Sequence, residues 1–256
     1  MRLPPASALL DAWEQAMDIS PTRRALTLLT VALPNVDGAS IARLPIGERD
    51  HCLMRFRRAL FGDAVQGTVQ CPQCGEHLDL SFRLQDIGLN ADDDTPDAIA
   101  SVTAADVREW CDAEYEVQFR LPNSEDLLKI SSSADTSQAQ LNLLNHCVLS
   151  AKRIETGNEA IAPANLPSNV TASLAQAMSE ADPLACTELQ LNCPACQHAW
   201  LALFDIAHFL WIEVHAWARR TLQDVQALAR TYGWREQDIL AMSARRRRLY
   251  LELQRA

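Results

Sequence analysis

Cys71-Pro72-Gln73-Cys74 and Cys193-Pro194-Ala195-Cys196 are two copies of one short pattern. Each pair of cysteines lies between two runs of alternating apolar and polar residues, which predicts that each pair forms the tip of a β-hairpin. The two-residue gap lets both sulfurs of a pair point at one metal ion, and four thiolates suit a tetrahedral zinc ion. The sequence therefore predicts one structural Zn²⁺, held by Cys71, Cys74, Cys193 and Cys196. The alternative is two reduced pairs that bind no metal.

The separation of the two pairs is unusual. An ordinary zinc ribbon separates its pairs by roughly 15–20 residues, whereas about 120 residues lie between Cys74 and Cys193. The entropy cost of closing a loop grows only logarithmically with its length, and zinc binding contributes roughly 10–16 kcal/mol in model peptides. One ion can therefore join distant parts of the chain, and the residues between the pairs are predicted to form an inserted lobe.

The predicted fold class is α+β, mostly helical, with a four-cysteine zinc ribbon formed by two distant hairpins and a small α/β insertion between them. The predicted parts are N-terminal helices over residues 1–62, a split ribbon over 63–86 and 187–204, an inserted lobe over 87–186, and a long helix with a helical hairpin over 205–256. Within the insertion, alternation predicts a strand over residues 115–121. A helix is predicted from Thr136 or Ser137 to about Lys152, and a loop or weak helix over 90–112.

Composition limits the function classes. The chain has 256 residues, a net charge of −10 and eight cysteines. A strongly acidic protein has little general affinity for nucleic acid or for an anionic membrane. The first residues lack the apolar core of a signal peptide and no apolar stretch is long enough to cross a membrane, so a cytoplasmic location is expected. The acidic residues 92–97 have no role that the sequence identifies.

Catalytic signatures are missing from the sequence. Eight glycines in the whole chain argue against a nucleotide-binding loop, and neither a nucleophile elbow nor a metalloprotease motif occurs. His77 and His198 lie beside the cysteine pairs and could replace a thiolate ligand, but four thiolates already complete the site. The chain is therefore predicted not to be an enzyme.

Arg245 to Arg248 form the one dense basic run. Four consecutive arginines can indicate nucleic-acid binding, but in an acidic protein a solvated or salt-bridged helix face explains them better. The run falls in the first turns of a predicted helix, where the helix dipole disfavours positive charge. This conflict points to an acidic partner for the arginines, inside the protein or outside it.

Several longer stretches resemble one known family. They are Leu44-Pro45-Ile46-Gly47-Glu48-Arg49-Asp50, Arg120-Leu121-Pro122-Asn123-Ser124-Glu125-Asp126-Leu127, Ala181-Asp182-Pro183-Leu184-Ala185, Phe204-Asp205-Ile206, Phe209-Leu210-Trp211 and Tyr232-Gly233-Trp234-Arg235-Glu236-Gln237-Asp238-Ile239-Leu240-Ala241-Met242-Ser243. Together with the cysteine pairs, they resemble the zinc-ribbon baseplate hub assembly chaperone-like family of T-even phages and of phage-derived contractile injection systems. The chain departs from the family at Gln197, where the family often has glycine.

The resemblance implies a non-enzymatic protein that acts in baseplate or hub assembly through contacts with other baseplate proteins. Incorporation into the assembled particle and the oligomeric state are left open. The aromatic and basic residues of the C-terminal part are the expected partner contacts: Trp211, Trp217, Trp234, Arg246 and Arg247. The alternative function is a zinc-ribbon nucleic-acid-binding or regulatory protein, which the acidic charge disfavours.

Overall fold

The computed structural model describes residues 3–89, 107–131, 135–154 and 159–253. Its described helices, in chain order, are α1 (Ala6–Ala16), α2 (Pro21–Ala32), α3 (Gly38–Arg43), α4 (Ile46–Phe61), α5 (Ser124–Ile130), α6 (Thr136–Cys147), α7 (Ser168–Ala181), α8 (Ile206–Tyr232), α9 (Glu236–Ala241) and α10 (Ala244–Leu253). Its described strands are β1 (Ala64–Gln70), β2 (His77–Arg83), β3 (Arg108–Cys111), β4 (Tyr115–Phe119), β5 (Val148–Arg153), β6 (Glu159–Ala160), β7 (Glu188–Asn192) and β8 (Ala199–Leu203). This mixture agrees with the predicted α+β class.

The chain divides into two compact units. Unit 1 combines Met1–Asp37 with Asp205–Ala256, and unit 2 is Gly38–Phe204. In the described residues, unit 1 contains only helices and unit 2 contains all the strands. The finer four-part division expected from the sequence stays a prediction.

Helix α8 is the longest element of unit 1, and its ends follow the sequence signals. The Asp205 side chain accepts a hydrogen bond from the backbone N–H of His208 at 3.0 Å, which caps the first turn. Gly233 has a φ of +68°, the left-handed conformation that ends many helices. The buried residues of α8 recur every three or four positions, from Leu210 to Leu228. The predicted long helix is therefore confirmed.

Arg24 of α2 contacts both α1 and α8. Its guanidinium donates hydrogen bonds to the last carbonyls of α1, and it lies 4.7 Å from the centroid of the Trp211 ring. Trp13 Nε1 donates a hydrogen bond to His215 Nδ1 at 3.1 Å. These contacts hold α1 and α2 against α8.

Within its described residues, unit 2 contains three antiparallel sheets. Two are the hairpins β1–β2 and β7–β8, and the third has the strand order β3-β4-β5-β6. The four-stranded sheet packs on α6 and α7 over one apolar core, whose buried residues are Tyr115, Val117, Phe119, Leu121, Leu144, Cys147, Val148, Ala151, Leu166, Val170, Leu174 and Met178. The predicted strand over residues 115–121 is confirmed as β4.

Two parts of the insertion differ from the sequence expectation. The helix expected to reach about Lys152 ends at Cys147, and residues 148–153 form β5 because they pair along the whole of β4. Residues 108–111, expected in a loop or weak helix, form the edge strand β3. The local pattern could not predict these two strands, because their backbone hydrogen bonds come from pairing with β4. The acidic residues 92–97, and residues 90–106 as a whole, lie outside the described residues.

Three of the stretches that carry the family resemblance meet at the start of α4. The backbone N–H of Ile46 donates to the carbonyl of Pro122 at 3.1 Å, and Pro45 forms a β-bridge with Asn123. The N–H of Gly47 donates to the Asp182 carboxylate at 2.9 Å. The start of α4 is therefore fixed by two segments of the insertion.

A buried polar network surrounds this junction. Arg49 bonds the neighbouring Asp50 carboxylate at 2.7 Å and reaches Ser124 Oγ at 3.4 Å. Arg120 makes two hydrogen bonds to the fully buried carboxylate of Asp126. Buried charges persist in a fold only when they are paired in this way.

Among the described helices, none combines the length and the apolar character that crossing a membrane requires.

Candidate metal centre

The four predicted zinc ligands lie together in unit 2. Cys71 and Cys74 follow β1 and precede β2, whose last pair is Gln70 with His77. The second pair occupies the same place between β7 and β8. The two hairpin tips place the four Sγ atoms within 4.8 Å of one another. The predicted grouping of the four cysteines is therefore confirmed.

The distances between the thiols fit one tetrahedral ion. Cys71 Sγ lies 3.7 Å from Cys196 Sγ, and Cys74 Sγ lies 3.6 Å from Cys193 Sγ. Four ligands at the usual Zn–S distance of about 2.3 Å would be about 3.8 Å apart, whereas a disulfide needs about 2.05 Å. All four cysteines are free thiols. The group can therefore bind a metal ion, and no fifth ligand is needed.

The two hairpin tips share one backbone geometry. In each tip, the backbone N–H of the first cysteine donates to the carbonyl of the residue five positions later. The carbonyl of that same cysteine accepts from the N–H of the residue four positions later. The bonds are Cys71 N to Glu76 O, Gly75 N to Cys71 O, Cys193 N to His198 O and Gln197 N to Cys193 O, at 2.9–3.0 Å. The same turn is thus built twice from different sequences.

Gln197, where the chain departs from the family, lies at a position with a left-handed backbone. It has a φ of +60°, and among the described residues it alone combines a side chain with a positive φ. Gly75 occupies the equivalent position with a φ of +79°. The turn requires the left-handed conformation, which costs a residue with a Cβ about 1–2 kcal/mol. The Gln197 amide donates to the Pro194 carbonyl at 3.1 Å, which offsets part of that cost.

The four thiols have unequal surroundings. Cys71 and Cys193 are buried, Cys196 is half-buried and Cys74 is exposed. Burial acts to raise the pKa of Cys71, but hydrogen bonds from the N–H groups of Cys74 and Gln73 and from neighbouring thiols outweigh it, and the pKa falls to about 7. At Cys74 the N–H of Glu76 acts to lower the pKa, but the Cys196 thiol, partial loss of solvent around the sulfur and the other thiols raise it to about 12. The backbone N–H groups around Cys71 therefore favour its thiolate form.

The donor set points to a structural site. Within the described residues, the group able to hold a metal consists of the four cysteines and includes neither His77 nor His198. The imidazole of His198 stacks on Trp200 instead, at 5.9 Å between ring centroids. Four thiolates leave no open coordination position, and open positions are what catalytic zinc sites keep.

The residues predicted to contact a partner all lie in unit 1. Trp211 is half-buried beneath Arg24, and Trp217 is half-buried on the same helix. Trp234 stacks on Tyr232 at 4.5 Å between centroids.

The two predicted arginines differ from each other. Arg246 is exposed, whereas Arg247 is 4 % exposed and donates to the carbonyl of Met242 at 2.7 Å. The guanidinium of Arg247 is therefore used inside unit 1. The partner-binding role of the five residues stays a prediction.

Sequence reasoning did not find a groove in unit 1. The unit 1 groove has a volume of about 860 Å³, and its lining comes from α1, α8, α9 and Arg235, the residue before α9. Because α1 is far in sequence from α8 and α9, no local pattern indicates that these helices enclose a common space. The lining is Ser7, Leu10, Asp11, Trp13, Glu14, Met17, Leu222, Arg235, Glu236, Gln237 and Leu240.

The sequence matches the model of a known protein family. A family model described as T4 bacteriophage base plate protein matches residues 25–211, well over half of the chain and inclusive of both cysteine pairs. No curated protein matches the chain. No solved structure matches it either.

Proposed function

We propose, from the premise that the chain belongs to the T4 bacteriophage base plate protein family, that it is a non-enzymatic assembly chaperone or structural interaction protein for the baseplate hub. The particle is a phage or a phage-like contractile injection system, and a structural zinc ion holds unit 2 together. Family membership indicates a structural or assembly role in a phage baseplate. The hub, the chaperone activity and the zinc ion belong to the proposal.

One observation carries the proposal. The family match extends over residues 25–211, and the four-cysteine group lies inside that range. The segments that resemble the family and meet at the start of α4 lie inside it as well. Their contacts fix the fold of unit 2, and four thiolates on one ion leave no position for a substrate. This arrangement suits a protein whose role is to present a stable surface to its partners.

The zinc ion would act on the architecture of unit 2. Cys71 and Cys74 precede the four-stranded sheet, and Cys193 and Cys196 follow it. A metal bound by all four thiols would close the chain around the insertion and restrict its unfolded conformations. The chain's own contribution is the pair of hydrogen-bonded turns, which bring the four sulfurs together.

We assign the proposed partner surface to the C-terminal helices of unit 1. Most of α8 and all of α9 and α10 lie beyond the matched range. Arg246 is exposed there, and Trp211, Trp217 and Trp234 are half-buried. Partly exposed tryptophans and arginines are the side chains that most often anchor protein interfaces.

The test is affinity purification of the tagged protein from cells that are producing the particle, followed by mass spectrometry. We expect baseplate hub proteins to co-purify with the wild type and to be depleted with Cys74→Ser. A chaperone would be absent from purified mature particles, and a structural subunit would be present in them.

Recovery of no baseplate protein would contradict the proposal. Salt-dependent binding of duplex or single-stranded DNA in a gel shift would favour the nucleic-acid alternative.

A further inference from the structure

The unit 1 groove has an apolar floor and an acidic rim. Leu10, Trp13 and Leu240 form part of the floor, and Met17 and Leu222 add exposed apolar surface at 40 % and 39 % exposure. The rim carries three carboxylates, Asp11, Glu14 and Glu236, against one guanidinium, that of Arg235. The groove therefore favours an occupant with apolar side chains flanked by positive charge.

Helix α10 carries a surface of that composition. Tyr250 and Leu251 pack against the core formed by α8 and α9. The opposite side, here named the α10 outer face, carries three arginines, one glutamate and two leucines. They are Arg245, Arg246, Arg248, Glu252, Leu249 and Leu253. The two leucines are 52 % and 67 % exposed, and the three arginines are exposed. Exposed leucines side by side on a short helix are the kind of patch that contacts another protein.

The position of the arginines adds an electrostatic reason. Arg245 and Arg246 lie in the first turn of α10, where the partial positive charge of the helix N-terminus repels them. A carboxylate brought to this turn by another surface would relieve the repulsion. In unit 1, the groove rim offers three such carboxylates together.

We propose that the protein self-associates, with the α10 outer face of one copy seated in the unit 1 groove of another copy. The leucines enter the apolar floor, and the arginines face Asp11, Glu14 and Glu236. A second copy is the favoured occupant because both complementary surfaces are present on this one chain. Since each copy carries both surfaces, two copies can dock reciprocally around a two-fold axis, or several can close a ring.

This inference goes beyond the proposed function and does not depend on it. A protein that binds no hub subunit can still self-associate, and a monomer can still act in hub assembly. The two tests therefore fail independently.

The experiment measures mass by sedimentation or light scattering of the full chain, from low micromolar to about 100 µM. We expect the mass of the wild type to rise above that of a monomer with concentration. High salt, about 1 M, should weaken association because it shortens the screening length to about 3 Å. Arg245→Glu with Arg246→Glu should weaken association about tenfold or more, because like charges then face each other in the contact.

A charge-swap pair separates docking from misfolding. Variant one carries Arg245→Glu and Arg246→Glu, and variant two carries Asp11→Arg and Glu14→Arg. Each should be monomeric alone because its two surfaces have the same sign, and an equal mixture should associate because both contacts are again complementary. The matched control, Arg23→Glu with Arg219→Glu, changes exposed arginines of unit 1 outside the groove and should associate like the wild type.

Three results would overturn the inference. One is a wild type that stays monomeric to about 100 µM, which would leave the groove to a different protein. Another is unchanged association of variant one. The third is a mixture of the two variants that remains monomeric while both show the wild-type melting temperature.

Discussion

The backbone N–H of Gly47 donates a hydrogen bond to the carboxylate of Asp182 at 2.9 Å, across 135 positions of sequence. The contact is so close that a Cβ on residue 47 would lie 1.8 Å from Asp182 Oδ1 and 2.8 Å from its Cγ. Burial raises the pKa of Asp182, while the Gly47 N–H and the charges of Arg108 and Arg49 act to lower it. This pair joins the first turn of α4 to the segment after α7, and it makes glycine necessary at position 47.

Gly47→Ala is expected to destabilise the protein by about 1–3 kcal/mol, because the added methyl group forces the Asp182 carboxylate away from the N–H. Chemical denaturation followed by circular dichroism measures the change. Gly38→Ala is the matched control, since nothing lies within 4 Å of a Cβ there and its φ is not positive. The control should be neutral or stabilising by up to about 1 kcal/mol. Equal stability of both variants would show that the Gly47 contact is unimportant.

Asp126→Asn is expected to cost about 3 kcal/mol at neutral pH, because it leaves the Arg120 guanidinium without its buried anion. Burial acts to raise the pKa of Asp126, but hydrogen bonds from Arg120 and from the N–H of Asn123, with the charges of Arg120 and Lys129, outweigh it and lower the pKa. A lowered carboxyl pKa contributes stability above the unfolded value of about 3.9, and that stability is lost as the pH falls through the folded value.

The gap in stability between Asp126→Asn and the wild type should therefore narrow below about pH 4. Urea denaturation at pH 7 and pH 3 tests this. Glu125→Gln is the control, because its ion pair with Arg43 is exposed and contributes less than about 1 kcal/mol. A gap that is the same at both pH values would contradict the assigned charge pair.

Cys74→Ser and Cys196→Ser are expected to lose bound zinc, because each removes one of four thiolates. Zinc content measured by plasma mass spectrometry should fall from about one ion per chain to near zero. The melting temperature should fall with it, since metal binding contributes roughly 10–16 kcal/mol in zinc-finger peptides. Cys111→Ser and Cys186→Ser change exposed thiols outside the group and should keep the metal. Unchanged zinc in Cys74→Ser would refute the proposed ligand set.

Gln197→Gly is expected to stabilise the protein by up to about 1 kcal/mol. The substitution removes the left-handed strain of about 1–2 kcal/mol and adds the backbone entropy cost of glycine, about 0.5–1 kcal/mol. Gly75→Ala places a Cβ at the equivalent position of the first hairpin and should destabilise by a similar amount. Thermal unfolding of the two variants should shift in opposite directions. A loss of stability in Gln197→Gly would show that the side-chain bond to Pro194 outweighs the strain.

The four-cysteine group was predictable because its signal is local. Cysteine pairs with flanking alternation define each hairpin separately, and thiol chemistry then joins the two. Helix α8 was predictable for a similar reason, since Asp205, the apolar repeat and Gly233 mark its start, face and end within one segment. The left-handed residue at position 197 was also signalled, as a departure from a family that often has glycine there.

The remaining features depend on long-range contacts. Residues 148–153 become strand β5 because β4 offers a pairing partner, although α6 leads directly into them. The contact between Gly47 and Asp182, and the burial of Arg247, leave no mark in the local pattern. The unit 1 groove needs α1 to come together with the remote helices α8 and α9. Such features follow from tertiary packing, which overrides local preference.

The distance in sequence between the two hairpins also delays their pairing during translation. Cys71 and its partner Cys196 are 125 positions apart, so at roughly 5–20 residues per second the first hairpin leaves the ribosome about 6–25 s before the second. Through that interval Cys71 and Cys74 lack the thiols of Cys193 and Cys196. The four-cysteine group can therefore form only after translation has delivered the second pair.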